Sequence, residues 1–227
     1  MAPEPTRVAL EVAPKRSFAS ALDWPGWARS GRTPDEALHR LLAYAPRYAA
    51  VLRGTRLGFA APASVHELEV VERLDGDGGT EFGVPGTAAR AESQAMDALA
   101  LDRSVALLRA AWRAFDRAAA AAEGATLTTG PRGGGRTLDK MRSHVLDAEV
   151  AYLGQLGSRP PALEGDAPER MERIRAALIE TLTARVHGDE LPNPRKTKHP
   201  WSAAYAVRRI AWHALDHAWE LEDRTPR

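Results

Sequence analysis

Apolar residues recur at steps of four and three through Leu101, Val105, Leu108, Trp112, Phe115 and Ala119. Positions so spaced share one helix face, and the stretch predicts a long amphipathic helix ending near Gly124. Three more helical segments follow, over about 137–156, 166–186 and 201–223, and Asp166-x-x-Glu169 supplies a capping pattern for the middle one. The connections over 128–135 and 191–200 are rich in Gly and Pro. They are long for a minimal up-and-down bundle and fit a crossover topology. From Ala88 onward the pattern is helical throughout.

The first part of the chain mixes periods. Val8–Val12 and Ser17–Leu22 read as a strand pair around Pro14-Lys15, closed by the turn Trp24-Pro25-Gly26. Thr33-Pro34-Asp35-Glu36 then supplies a capping hydroxyl, a proline at the first helical position and a glutamate at the third. Apolar residues follow at Ala37, Leu38, Leu41, Leu42 and Ala45, and Pro46 kinks or ends the helix before Gly54. Partial alternation over Val65–Leu74 predicts a third strand, Asp75–Gly79 a flexible turn or linker, and the composition changes after Gly86. The expected fold is therefore α+β: a small N-terminal β-β-α-β module over 1–86, then a four-helix bundle over 87–227. No internal repeat interrupts this division.

Composition narrows the chemistry. Among 227 residues, Lys+Arg 31 nearly cancel Asp+Glu 30, so no overall field draws in nucleic acid or an anionic membrane. The one basic run, Arg195-Lys196-Thr197-Lys198, reads as a solvated loop, and nucleic-acid binding ranks last among the functional readings. Cysteine is absent, which removes disulfides, thiolate ligands and a cysteine nucleophile, and leaves His, Asp and Glu as the strong metal ligands. The N-terminus lacks a long apolar segment and no run of about 18 apolar residues occurs, so the expectation is a cytoplasmic protein without a membrane span.

Within the last helix, His213 and His217 stand four residues apart, where two imidazoles converge from one face. His144, on the second bundle helix beside Met141, Val145, Ala148 and Tyr152, is the third candidate ligand. Three histidines leave coordination positions open to water or substrate, the reactive rather than the closed arrangement. Each is followed three residues later by an acid, Asp147, Asp216 and Glu220, of the kind that orients a ligating imidazole. Arg209, Tyr205 and Lys140 fall on the ligand face by helical spacing and are candidates for holding an anionic substrate or cofactor. The competing view is plainer: a His-x-x-x-His pair on an amphipathic helix is more often solvated, the acids a charged flank, and the six tryptophans core anchors. His39, His66, His187 and His199 read as surface or loop residues, with His199 the fallback ligand.

From about Ala88 to Asp223 the chain resembles the DinB/YfiT-like family of four-helix bundles. Arg142-Ser143-His144-Val145-Leu146-Asp147-Ala148-Glu149 is similar to that family's H-x-x-D-A-E segment, and His213-x-x-x-His217 to the pair on its last helix. The resemblance implies a divalent metal, zinc or nickel, held by His144, His213 and His217 with water. It also implies chemistry like that of low-molecular-weight thiol transferases and the mycothiol-dependent maleylpyruvate isomerase. The N-terminal part, through Phe18–Gly26 and Gly31-Arg32-Thr33-Pro34-Asp35-Glu36-Ala37, resembles the HicB-like antitoxin domain, departing from it at Trp24 and in lacking a proline before Asp23.

Two readings stay open at this level. One is a metal-dependent transferase or isomerase that acts on a small molecule with a thiol such as mycothiol, its entrance shaped by the N-terminal module and the Gly130–Arg136 loop. The other is a binding or regulatory protein with a structural or vestigial metal site. A homodimer fits either.

Overall fold

The computed structural model describes residues 4–130 and 135–226. Its N-terminal part is built on a four-stranded sheet of β1 (Thr6–Val12), β2 (Ser17–Ala21), β3 (Ala28–Gly31) and β4 (Leu68–Asp75). Their spatial order is β3-β2-β1-β4, with β1 antiparallel to β2 and parallel to β4. A parallel neighbour requires a crossover. Here α1 (Pro34–Ala43) and α2 (Ala45–Leu52) supply it, and a 3-10 turn at Val65–Glu67 leads into β4.

The strand pair is where alternation places it, and the later strand starts three residues after the expected Val65, because Val65–Glu67 forms the 3-10 turn. The structure adds β3, which the turn at Trp24-Pro25-Gly26 hides because Arg29 and Ser30 carry no apolar signal. The predicted helix begins as expected, with the Thr33 hydroxyl accepting from the Glu36 amide. It then breaks at Tyr44, since Pro46 lacks the N–H needed to continue the ladder and its ring would crowd the Leu42 carbonyl. Asp75–Gly79 is also more ordered than a linker. Asp77 accepts hydrogen bonds from the Gly79 and Thr80 amides and caps a short helix, α3 (Gly78–Phe82).

The bundle consists of α4 (Ala98–Ala121), α5 (Leu138–Gln155), α6 (Ala167–His187) and α7 (Ala203–Arg224). Each begins at a side-chain cap: Asp97, Thr137, Asp166 and Ser202, with Glu169 completing a capping box on α6. The basic run after α6 is tied down. The Arg195 amide bonds the Gly157 carbonyl at 2.7 Å and the Thr197 hydroxyl bonds the Gly154 carbonyl at 3.0 Å. No helix among the described residues is long and apolar enough to cross a membrane.

Helix α7 is central: buried residues occur on all its faces, including Arg208, Arg209 and Arg224. Buried cations need partners. Arg208 pairs with buried Glu92 and donates to the Pro85 and Thr87 carbonyls at 3.1 and 2.9 Å. One contiguous apolar core runs from Val8, Trp27 and Tyr48 through Leu108, Met141 and Ile174 to Leu221. At the join, Gly26 has φ +94°, and a Cβ there would lie 2.9 Å from the Ala211 Cβ, so the turn reaches α7 because it has no side chain. Arg47 reinforces the contact through ion pairs with Glu222 and Asp223, as does the Phe18 ring edge-on to Trp212.

The bundle interior also holds a carboxylate. Glu149 is fully buried, with the Arg175 Nε 3.5 Å away, and Arg175 is committed more closely to Asp116 at 2.8 Å. Burial, which Arg175 only partly offsets, pushes the Glu149 carboxyl up to about 7.

Candidate metal centre

Helices α5 and α7 place His144 opposite His213 and His217. One ring nitrogen from each of the three lies within 4.8 Å of the others, and no second such group of three occurs among the described residues. The Nε2 atoms of His144 and His213 face each other at 3.2 Å. Tetrahedral zinc with Zn–N bonds of about 2.0–2.1 Å would separate its nitrogens by roughly 3.4 Å, so the spacing suits one shared ion. His39, His66, His187 and His199 are all exposed, leaving the fallback ligand away from the cluster.

Two of the rings are neutral at physiological pH. Burial, followed by the neighbouring His217, pushes the His144 imidazole down to about 4, and burial with His217 and His144 beside it pushes His213 well below the usual histidine range. Neutral imidazoles are the metal-binding form, so no proton need be displaced from these two.

Of the three acids that follow the histidines, one orients its imidazole. His217 Nδ1 bonds the Glu220 carboxylate at 3.0 Å, which leaves Nε2 for an ion. Burial works to raise the Glu220 carboxyl, but hydrogen bonds from His217 and Arg224 outweigh it and hold it below the usual range. Arg224 donates in turn to the Thr128 and Arg136 carbonyls at 2.7 and 2.9 Å, coupling the end of α7 to the loop over the site. Asp216 instead turns toward the N-terminal part and pairs with Arg29 at 3.0 Å, while Asp147 is exposed. The buried His213 Nδ1 has no protein partner.

Two of the three histidines, His213 and His217, line a cleft of about 400 Å³. His213, His217, Trp212 and Trp219 of α7 form one side; Arg29, Tyr44 and the segment Phe82–Val84 come from the N-terminal part, and Gly130 and Arg136 from the loop. The cleft is thus bordered by the N-terminal part and by Gly130 and Arg136, with residues 131–134 of the expected entrance loop outside those described. Arg209, Tyr205 and Lys140 do not line it. Arg209 is buried among the Tyr205, Trp201, Trp212 and Tyr152 rings and donates to the Tyr205 hydroxyl at 2.9 Å, while Lys140 is exposed. Arg29, Tyr44, Phe82 and Arg136 reach the site through tertiary packing, and helix spacing around the histidines carries no sign of them.

No family model, curated protein or solved structure matches the chain.

Proposed function

We propose that the protein is a divalent-metal-binding protein of DinB-like type, with zinc or nickel held by His144, His213 and His217, and that it is a metal-dependent transferase or isomerase using a low-molecular-weight thiol. The carrying observation is the convergence of three ring nitrogens within 4.8 Å of one another, with His213 and His217 lining a cleft. The donor set fits such an ion: two imidazoles are held neutral by burial, and the third has its Nδ1 occupied by Glu220. Three protein ligands leave a further coordination position for a reactant.

A divalent ion there would polarise a substrate oxygen or lower the pKa of a bound thiol. The protein contributes the rest. Glu220 fixes the tautomer and direction of His217, and Arg224 fixes Glu220. Trp212 and Trp219 keep one wall of the cleft dry, and Arg136 leaves a positive charge where an anionic reactant would sit. Since the chain has no cysteine, the sulfur nucleophile must arrive as a separate small molecule.

Elemental analysis of the untagged protein after exhaustive dialysis, wild type beside His213→Ala, tests the metal. Near-stoichiometric metal in the wild type and its loss in the variant are expected, and no metal in either would end this reading. For the thiol, cobalt-loaded protein titrated with mycothiol should gain a sulfur-to-metal charge-transfer band; an unchanged spectrum would leave the metal site without its thiol chemistry.

A further inference from the structure

The N-terminal part contributes an aromatic residue whose exposure nothing in the fold requires. Phe82 is 78 % exposed at the end of α3, yet its backbone is held from several directions. Buried Glu11 accepts from the Thr80 hydroxyl and from the Gly86 and Thr87 amides, the latter two at 3.2 and 3.1 Å. The Glu81 carboxylate accepts from the Lys15 amide at 2.7 Å, the Glu81 carbonyl accepts from Arg16, and Gly83, at φ +110°, closes the helix. A large apolar ring presented to solvent from a fixed turn, on the rim of a cleft already walled by Trp212, Trp219 and Tyr44, forms a surface for a flat apolar body.

The charges of the same cleft point to one sign of ligand. Its carboxylates are answered by protein groups: Asp216 by Arg29, Asp223 by Arg47, Glu220 by Arg224 and His217. Arg136 has no side-chain ion pair among the described residues, and its charge reaches both His144 and His213. An anionic group beside it would meet a cation that no described side chain pairs with.

We infer that Phe82 of the N-terminal part and Arg136 of the loop before α5 form the specificity wall of the cleft beside the histidines, and that they select a small aromatic carboxylate as the molecule acted upon. The inference rests on the proposed function for the purpose of the cleft. Recognition itself involves Phe82 and Arg136, neither of which is a proposed ligand, and is measurable with or without metal.

The test is calorimetric titration of 2-naphthoate, with uncharged 2-naphthalenemethanol as its control, into the full chain in metal-free and zinc-loaded forms. Metal content is determined separately on each sample. The wild type should bind the acid saturably and in preference to the alcohol. Phe82→Ala should weaken both ligands by up to about tenfold through loss of one aromatic contact. Arg136→Gln should weaken the acid alone, by about tenfold or more. Both side chains are exposed, so the variants should keep the wild-type melting temperature. No saturable binding of the acid in either form, or wild-type affinity in both variants, would overturn the inference whatever the metal analysis shows. Binding that follows these expectations in protein that takes up no metal would uphold the wall and reject the metal reading alone.

Discussion

Replacing Glu149 by glutamine should stabilise the protein increasingly as pH rises from 5 to 8. The carboxyl is fully buried between α4, α5 and α6, with Arg175 at 3.5 Å and both its oxygens lacking a close hydrogen bond. Its folded value of about 7 stands above the ordinary 4.5. The folded state therefore holds this proton more tightly than the unfolded chain, and stability from this group is fully present below about pH 4.5. It is lost as pH climbs through 7, because folding must then either retain a proton against its gradient or bury a charge. A displacement of about 2.5 pKa units corresponds to about 3 kcal/mol, most of it developing between pH 5 and 8. Glutamine keeps the shape and removes the titration, and Arg175 retains its two-oxygen contact with Asp116. Urea unfolding of both proteins at half-unit pH intervals measures the gap. It should be below about 1 kcal/mol at pH 5 and widen to about 3 at pH 8, equivalent to roughly 6–12 °C in melting temperature for a chain of this size. A gap that is constant across this range, or that narrows with rising pH, would refute the reasoning.

Two further substitutions probe the site and the join. Glu220→Gln should weaken metal binding by about 10- to 100-fold in competition with a chromophoric chelator while leaving the fold intact, since it removes the carboxylate that orients His217; unchanged affinity would show that the contact is incidental. Gly26→Ala should cost at least about 2 kcal/mol in urea unfolding, because alanine must adopt a positive φ with its Cβ against Ala211 and Leu215, and a neutral result would mean that the turn can withdraw from α7.

Much of the helical part was legible in the sequence because its signals are local. Asp97, Thr137, Asp166 and Ser202 start helices, and the apolar stripe of α4 states its own period. The three-histidine cluster was legible for a related reason: i, i+4 spacing puts His213 and His217 together whatever surrounds them. That His144 meets them follows from the pairing of α5 with α7, which the resemblance to a bundle family implied. What local pattern misses is decided by rotation and long-range contact. The acids Asp216 and Glu220 have the same offset from their histidines and share a face of α7, yet one pairs with Arg29 and the other with His217, because each meets the partner that the neighbouring elements bring to its own turn of the helix. β3 escaped notice since its central residues are polar, and Arg29 packs its cation 4.0 Å over the Tyr44 ring rather than contributing an apolar side chain. α3 escaped because glycines and Asp77 signal a turn, and the buried Glu11 that anchors it lies some seventy residues away.

The close approach of Gly26 to Ala211 bears on how this chain can change over evolutionary time. A join made of a side-chain-free turn, a small residue on the facing helix and an edge-on Phe18–Trp212 pair is a mutual constraint rather than a tether. Enlargement at position 211 is tolerable only if the turn at 26 retreats, and retreat draws Tyr48 and Trp27 with it through the Tyr48 hydrogen bond to the Pro25 carbonyl and the stacking of the two rings. The two halves are thus expected to drift together. Substitutions at these positions should appear in matched sets across descendants of the chain, and a bundle that had lost its module would carry the record of that loss as polar replacements at Ala211, Trp212 and Leu215.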